Sequence, residues 1–370
     1  MYRLNNPQYP SIKLMSRNDD NFGSLALSNN QGSRLSRHRA SGKGTRMNIA
    51  PLFLNSAHPG SDRRPVMITP QTDCRLQALR SEIREQRSNI DRLLLQHGAL
   101  LFRGFHLESA EDFKSCAECL GAEPFGYIGG NSPRSRVAAD VYTSTEYPAS
   151  EAISLHNEMS YLPRWPRRLL FYSLLPARSG GQTPLALSAE VLRAMPADIV
   201  ASFRQRKLTY IRHFQSEIPL GKSWQETYAT RDRSEIEALI ASQGSSCSWL
   251  SDGVLRVMTQ CEALTSHPRT GEEVWFNQAE QWHPSAMSPE VRALYEEMVG
   301  AEQLPHDCRY GDGTPIESEV LERIRGALTG CKLSFDWQPR DLLVLDNVLI
   351  MHGRESFQGE RKLLTYLSST

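Results

Sequence analysis

The chain carries two hydrophobic rhythms, and their order predicts its architecture. Leu76, Leu79, Ile83, Ile90, Leu93 and Leu94 recur at helical spacing, so one helix is expected over about 75–97. His97-Gly98 ends it, and Ala99-Leu-Leu-Phe-Arg-Gly104 then reads as a short buried strand. Strand composition returns at 140–145, 153–158, 169–175 and 274–277. Near the end, 341–345 and 348–352 read as two strands around a tight turn at Asp346-Asn347, residues that tolerate turn backbone angles. Further helices are expected near 109–120, 188–206, 289–300 and 318–328, the last stopping before Gly330 as a cap. No internal repeat is present. Short strands with helices inserted between them predict a mainly β fold, a double-sheet jelly roll with flanking helices.

The first 60 residues show neither rhythm. Asn, Ser, Gly and Arg dominate there, so residues 1–60 are expected to be a disordered basic tail. Residues 61–370 are then expected to form a single domain with helical insertions. The tail contains no continuous apolar core of a secretory signal, and Met47 is an alternative start. Its charge changes the reading of the whole: the 370 residues hold 42 basic and 42 acidic side chains. Residues 1–47 carry a net +6, leaving −6 on the rest. An acidic body repels phosphate, which argues against nucleic-acid binding. No apolar run reaches the ~18 residues of a membrane span. Seven dispersed cysteines read as reduced thiols, not a disulfide framework, and suggest a cytoplasmic location. Cys116-x-x-Cys119 lies on an amphipathic stretch with no second Cys or His pair nearby, so a structural role is expected.

The segment Ile153-Ser-Leu-His-Asn-Glu158 carries the first chemical signal. In a strand, positions i and i+2 share a face, so His156 and Glu158 are expected to project together. A neutral imidazole and a carboxylate suit a divalent metal, and His352, ending an apolar run before Gly353, is the candidate third ligand. Two His and one carboxylate with open positions is the arrangement of non-haem Fe(II) oxygenases. His-x-Glu alone is common, and a half-buried His satisfied by a carbonyl would explain it equally. Two further segments shift the balance. Arg361 follows His352 by nine residues, where a hairpin would return its guanidinium to the cavity. Gly180-Gly-Gln-Thr183 offers close backbone approach and a hydroxyl.

Taken in order, His156-x-Glu158, Gly180-Gly-x-Thr183, His352 and Arg361 resemble the Fe(II)/2-oxoglutarate dioxygenases of the taurine dioxygenase superfamily. The resemblance runs over about residues 65–370. Tyr142-Thr-Ser-Thr-Glu-Tyr-Pro148, Leu155-His-Asn-Glu158, Val274-Trp-Phe-Asn-Gln278, Tyr310-Gly-Asp-Gly-Thr-Pro-Ile316 and Asp346-Asn-Val-Leu-Ile-Met-His-Gly-Arg354 are similar to a narrower branch. That branch is the syringomycin-type hydroxylases of nonribosomal peptide biosynthesis. The resemblance implies a clavaminate-synthase-like double-stranded β-helix, with Fe(II) on His156, Glu158 and His352. It also implies that Thr183 and Arg361 hold the distal carboxylate of 2-oxoglutarate as cosubstrate. Hydroxylation of an unactivated C–H bond, or desaturation, would follow, on an amino-acid-derived substrate carried by a peptidyl carrier protein or free. Glu158 stands where the taurine enzymes have Asp, which weakens an inference to sulfonates. Chloride would need the position Glu158 fills, which argues against halogenation.

Arg134 and Arg136 are candidate contacts for an anionic substrate, and Arg164, Arg167 and Arg168 for docking an acidic carrier. His213, His267 and His283 read as loop or strand-edge residues. Neither a Gly-x-Ser-x-Gly elbow nor a P-loop is present. Two readings of other classes stay open: a zinc hydrolase on the same three ligands, and a non-catalytic jelly-roll binding module.

Overall fold

The computed structural model describes residues 47–53, 63–126, 134–145, 147–215, 218, 220–250 and 253–370. Its centre is an eight-stranded sheet. The strands lie in the order Met47–Pro51, Val66–Pro70, Ala99–Phe102, Leu342–Asp346, Arg168–Leu175, Lys362–Ser368, Val141–Thr143 and Arg136–Ala138. Its middle strands are mostly apolar because both faces are covered, and the two-residue period divides their side chains between two cores. Leu100, Phe102, Leu170, Tyr172, Leu342, Val344, Leu364 and Tyr366 pack with the helices Leu76–Glu85, Arg87–His97 and Ala110–Cys119. Their neighbours Leu101, Leu169, Phe171, Leu343, Leu345, Leu363 and Leu367 pack with Leu185, Leu187 and Ile350 of a second sheet.

That second sheet has three strands, in the order Ile153–His156, Ile350–Arg354, Leu185–Leu187. Together the two sheets make the jelly roll. A third sheet, ordered Ser246–Trp249, Leu255–Cys261, Leu208–Phe214, His306–Tyr310, is added to it. Among the described residues, no helix is long and apolar enough to cross a membrane.

Several expectations are corrected. Residues 1–46 and 54–62 of the expected tail lie outside the described residues, but Met47–Pro51 within it is a strand. It pairs antiparallel with Val66–Pro70, and Met47 is buried in the core. The helix expected at 75–97 is two, parted at Gln86, whose backbone (φ −104°, ψ 14°) leaves the helix without a Gly or Pro to mark the site. That at 188–206 is also two, because Pro196 forces Met195 into extended backbone (φ −68°, ψ 138°). The final helix, Ser318–Gly330, includes Gly330 instead of ending before it. The strands flanking Asp346-Asn347 do not form a hairpin: Leu342–Asp346 belongs to the first sheet and Ile350–Arg354 to the second. The turn carries the chain from one layer to the other.

Candidate metal centre

Strand pairing brings the two imidazoles together. Ile350–Arg354 is the middle strand of the second sheet, and its His352 sits directly opposite His156 in the antiparallel register. Side chains opposite one another on such a pair are neighbours, and the ring centroids are 4.4 Å apart. Gly353 permits the close approach of these strands, since a Cβ there would stand 2.6 Å from the Ile153 carbonyl oxygen. His156 Nδ1 lies 2.9 Å from the Ser154 carbonyl. Donation to that oxygen leaves Nε2 with its lone pair free for a metal. Burial is the main cause lowering both histidines' pKa, well below the ordinary value for His352. The rings are therefore neutral near pH 7, the form that ligates.

Glu158 arrives differently from the sequence expectation. The strand ends at His156, so the pleat does not aim Glu158. Asn347 does. Its Oδ1 accepts from the Glu158 N–H at 2.8 Å, and its Nδ2 donates to the Glu158 carbonyl at 3.0 Å and the Pro166 carbonyl at 2.8 Å. Asn157 donates in turn to the Asn347 carbonyl at 2.6 Å, locking the two turns together. Glu158 Oε2 then lies 3.9 Å from His352 Nε2, and the ligand atoms of all three residues fall within 4.8 Å of one another. This set fits a divalent ion of the iron type: two neutral imidazoles and one carboxylate with converging ligand atoms.

Thr183, Arg361 and both imidazoles line one cavity of about 40 Å³. Arg361 is held by donation from Nε to the Gly181 carbonyl at 3.1 Å and from Nη1 to Ser144 Oγ at 3.4 Å. Burial first, then the charge of Arg354, pulls its pKa down to about 9. An anion bound there would restore it. Thr183 Oγ1 accepts from Trp337 Nε1 at 2.9 Å, which leaves the hydroxyl hydrogen available for a carboxylate.

The family model for "Taurine catabolism dioxygenase TauD, TfdA family" matches residues 62–367. The chain belongs to this family. It is an Fe(II)- and 2-oxoglutarate-dependent dioxygenase, and the zinc-hydrolase and binding-module readings fall away. Among its relatives, the dapdiamide synthesis protein DdaC of Enterobacter agglomerans is 39% identical over 272 residues, spanning 74% of this chain and 82% of that protein. A clavaminate synthase-like protein of Arabidopsis thaliana is 29% identical over 297 residues, covering 77% and 86%. The PvcB protein of Pseudomonas aeruginosa shares the fold, with a TM-score of 0.51, 15% identity and coverage of 90% and 95%.

The dioxygenase has a second, larger cavity of about 480 Å³, which shares Thr145, Ile153 and His156 with the smaller one. Tyr161 and Trp282 supply aromatic wall, while Ser154, Gln278, Glu280, Gln281 and Arg325 supply polar groups. Glu280 is buried, bonds Ser154 Oγ and pairs with Arg325 at 3.3 Å; burial raises its pKa. Gln281 donates to the Ser154 carbonyl at 2.8 Å, the oxygen that orients His156. Sequence reading missed this wall. The only local trace was the segment Phe276-Asn-Gln-Ala-Glu-Gln-Trp282, dense in amides beside aromatics.

Other candidates are divided. Arg134 lines the smaller cavity and donates to Glu158 Oε2 at 2.6 Å, closer to the metal centre than a substrate contact. Arg136 is exposed, lines neither cavity and donates weakly to the Ala138 carbonyl at 3.4 Å. Arg164 and Arg167 are exposed, but Arg168 pairs with Asp91 at 3.0 Å and is largely buried. His213 and His267 are buried, the first bonded to the Leu304 carbonyl and the second to Asp346; His283 Nδ1 accepts from the Ser285 N–H. Cys116 and Cys119 are buried on their helix, and burial pushes the Cys116 thiol up to about 12, which suits the structural role expected of them.

Proposed function

We propose that this dioxygenase hydroxylates or desaturates an unactivated C–H bond of an amino-acid-derived substrate held on a carrier protein in natural-product biosynthesis. The observation that carries the reading is the junction at His156, where the metal centre opens into a polar and aromatic cavity of about 480 Å³. A relative named for dapdiamide synthesis supports the biosynthetic setting.

In this reading His156, Glu158 and His352 hold Fe(II), and Arg361 with Thr183 holds the distal carboxylate of 2-oxoglutarate. Iron, 2-oxoglutarate and dioxygen supply an oxidant strong enough to remove hydrogen from an unactivated carbon. The chain's own contribution is positioning. Ser154 orients His156, Asn347 orients Glu158, and Phe171 packs against His352 with ring centroids 5.2 Å apart, excluding water from that side. Tyr161 and Trp282 bury the substrate's apolar part, while Ser154, Gln281 and Glu280 meet its polar groups. Arg164 and Arg167, exposed after the Glu158 turn, attract an acidic carrier and set its orientation more than its affinity.

Two measurements test this. Anaerobic Fe(II) with 2-oxoglutarate should produce a weak visible charge-transfer band, which Glu158→Ala abolishes. Loaded carrier protein and the same free amino acids are then compared by mass spectrometry under oxygen. A mass change on the free amino acids, with none on the carrier-bound form, would sink the tether and leave a free amino-acid oxygenase.

A further inference from the structure

Arg134 stands among the proposed metal ligands. Its Nη2 donates to Glu158 Oε2 at 2.6 Å, and the two side chains are only 3% and 5% exposed. The same Oε2 is the carboxylate oxygen nearest His352, 3.9 Å from Nε2. The carboxylate that His156 and His352 would share a divalent ion with is thus already engaged by Arg134. A divalent ion and a guanidinium drawn to one buried carboxylate repel each other, so each weakens the other's hold on it. A second observation points the same way. Arg134 lines the cavity of about 40 Å³ that also holds Thr183 and Arg361. That volume admits a few waters. Withdrawal of Arg134 from Glu158 would enlarge it.

We propose that Arg134 competes with the metal ion for Glu158, and that its displacement couples metal binding to the binding of an anion in the same cavity. This deepens the metal-site reading given above and rests on it. A guanidinium keeps its charge when moved. Once off Glu158 it therefore favours an anion beside Arg361, and 2-oxoglutarate is that anion. Linkage makes the effect reciprocal: 2-oxoglutarate strengthens metal binding, and more so when Arg134 is present. Arg134 is thus a positioning residue, acting through the carboxylate it releases.

The test is Mn(II) binding by calorimetry on metal-stripped full-length protein, with and without 2-oxoglutarate, for the wild type, Arg134→Met and Arg134→Lys. Without 2-oxoglutarate, Arg134→Met should bind Mn(II) about tenfold more tightly than wild type. The enhancement that 2-oxoglutarate gives should shrink in that variant. Arg134→Lys, which keeps a cation, should stay close to wild type. Mn(II) affinity unchanged or weakened in Arg134→Met overturns the proposal alone, whereas a wild type that binds no Mn(II) overturns the metal-site reading itself. Hydrogen exchange on the wild type needs no variant: Mn(II) alone should alter exchange across residues 134–138, whose Ser135 N–H donates to Thr143 Oγ1. No change there overturns the proposal even where both variants fail to fold.

Discussion

At the scale of single residues, the pocket proposed for the cosubstrate makes the sharpest demand. Arg361 is buried and its charge is opposed by burial and by Arg354, and among the described residues no carboxylate forms an ion pair with it. A dicarboxylate supplies one. Arg361→Ala should therefore weaken 2-oxoglutarate binding by ~2–5 kcal/mol, the usual loss when one member of a buried charged pair is truncated. That is roughly thirtyfold or more in affinity. Thr183→Val should weaken it far less, by ~1 kcal/mol for one neutral hydrogen bond, while leaving the Trp337 indole N–H unpaired. Titration of 2-oxoglutarate into the iron-loaded variants checks both, and equal losses would reject the division of labour. The grouping of His156, Glu158 and His352 was readable in the sequence because each sat in a recognisable phrase: His156-Asn-Glu158 on one side, Met351-His352-Gly353 on the other. Glu280 and Gln281 were not. Their meaning lies in bonds to Ser154, more than a hundred positions away, and no local pattern records such a pairing.

Among elements, the turns govern the site more than the strands do. A two-residue period foretold that His156 and Glu158 would share a face, yet the strand stops at His156 and the convergence is imposed by two asparagines. Asn347 read as a turn former by composition, which is true but incomplete. Its fully buried side chain satisfies the backbone of Glu158 in both directions and holds the Pro166 carbonyl besides. Asn347→Ala would strand three buried backbone groups, each costing ~1–3 kcal/mol when left unpaired. We expect a loss of several kcal/mol in urea unfolding, and metal affinity lowered ~10–100-fold, the scale for losing a group that orients a ligand. Destabilisation with unaltered metal affinity would show that Glu158 is aimed by something else. Asn347→Asp separates the effects further, since it keeps the acceptor for the Glu158 N–H but loses the donor.

For the whole molecule, the central strands Ala99–Phe102, Arg168–Leu175 and Leu342–Asp346 were legible because they are mostly apolar, as a sheet covered on both faces requires. The four-stranded sheet was not, since Leu255–Cys261 places Thr259 and Leu208–Phe214 places Arg212 and His213 at buried positions, diluting the apolar alternation. The polar groups buried in and near this sheet have a consequence for acid stability. Burial is the largest cause lowering the pKa of His213, His283 and His306, the last from 6.5 to about 3, and His97 on the helical side behaves alike. Above pH 6.5 these groups are neutral whether the chain is folded or not, so their burial carries no protonation penalty there. Below it the unfolded chain takes up protons that the folded chain refuses, and stability falls as pH drops from 6.5 towards the folded values. Each such His removes ~1.4 kcal/mol per pH unit over its own window. The urea midpoint of metal-stripped protein should consequently drop between pH 7.5 and about 5.5, before most carboxylates titrate. His306→Gln, which cannot titrate beside Trp282, should make that drop shallower; an undiminished drop in the variant would show that His306 protonation is not a source of the acid sensitivity.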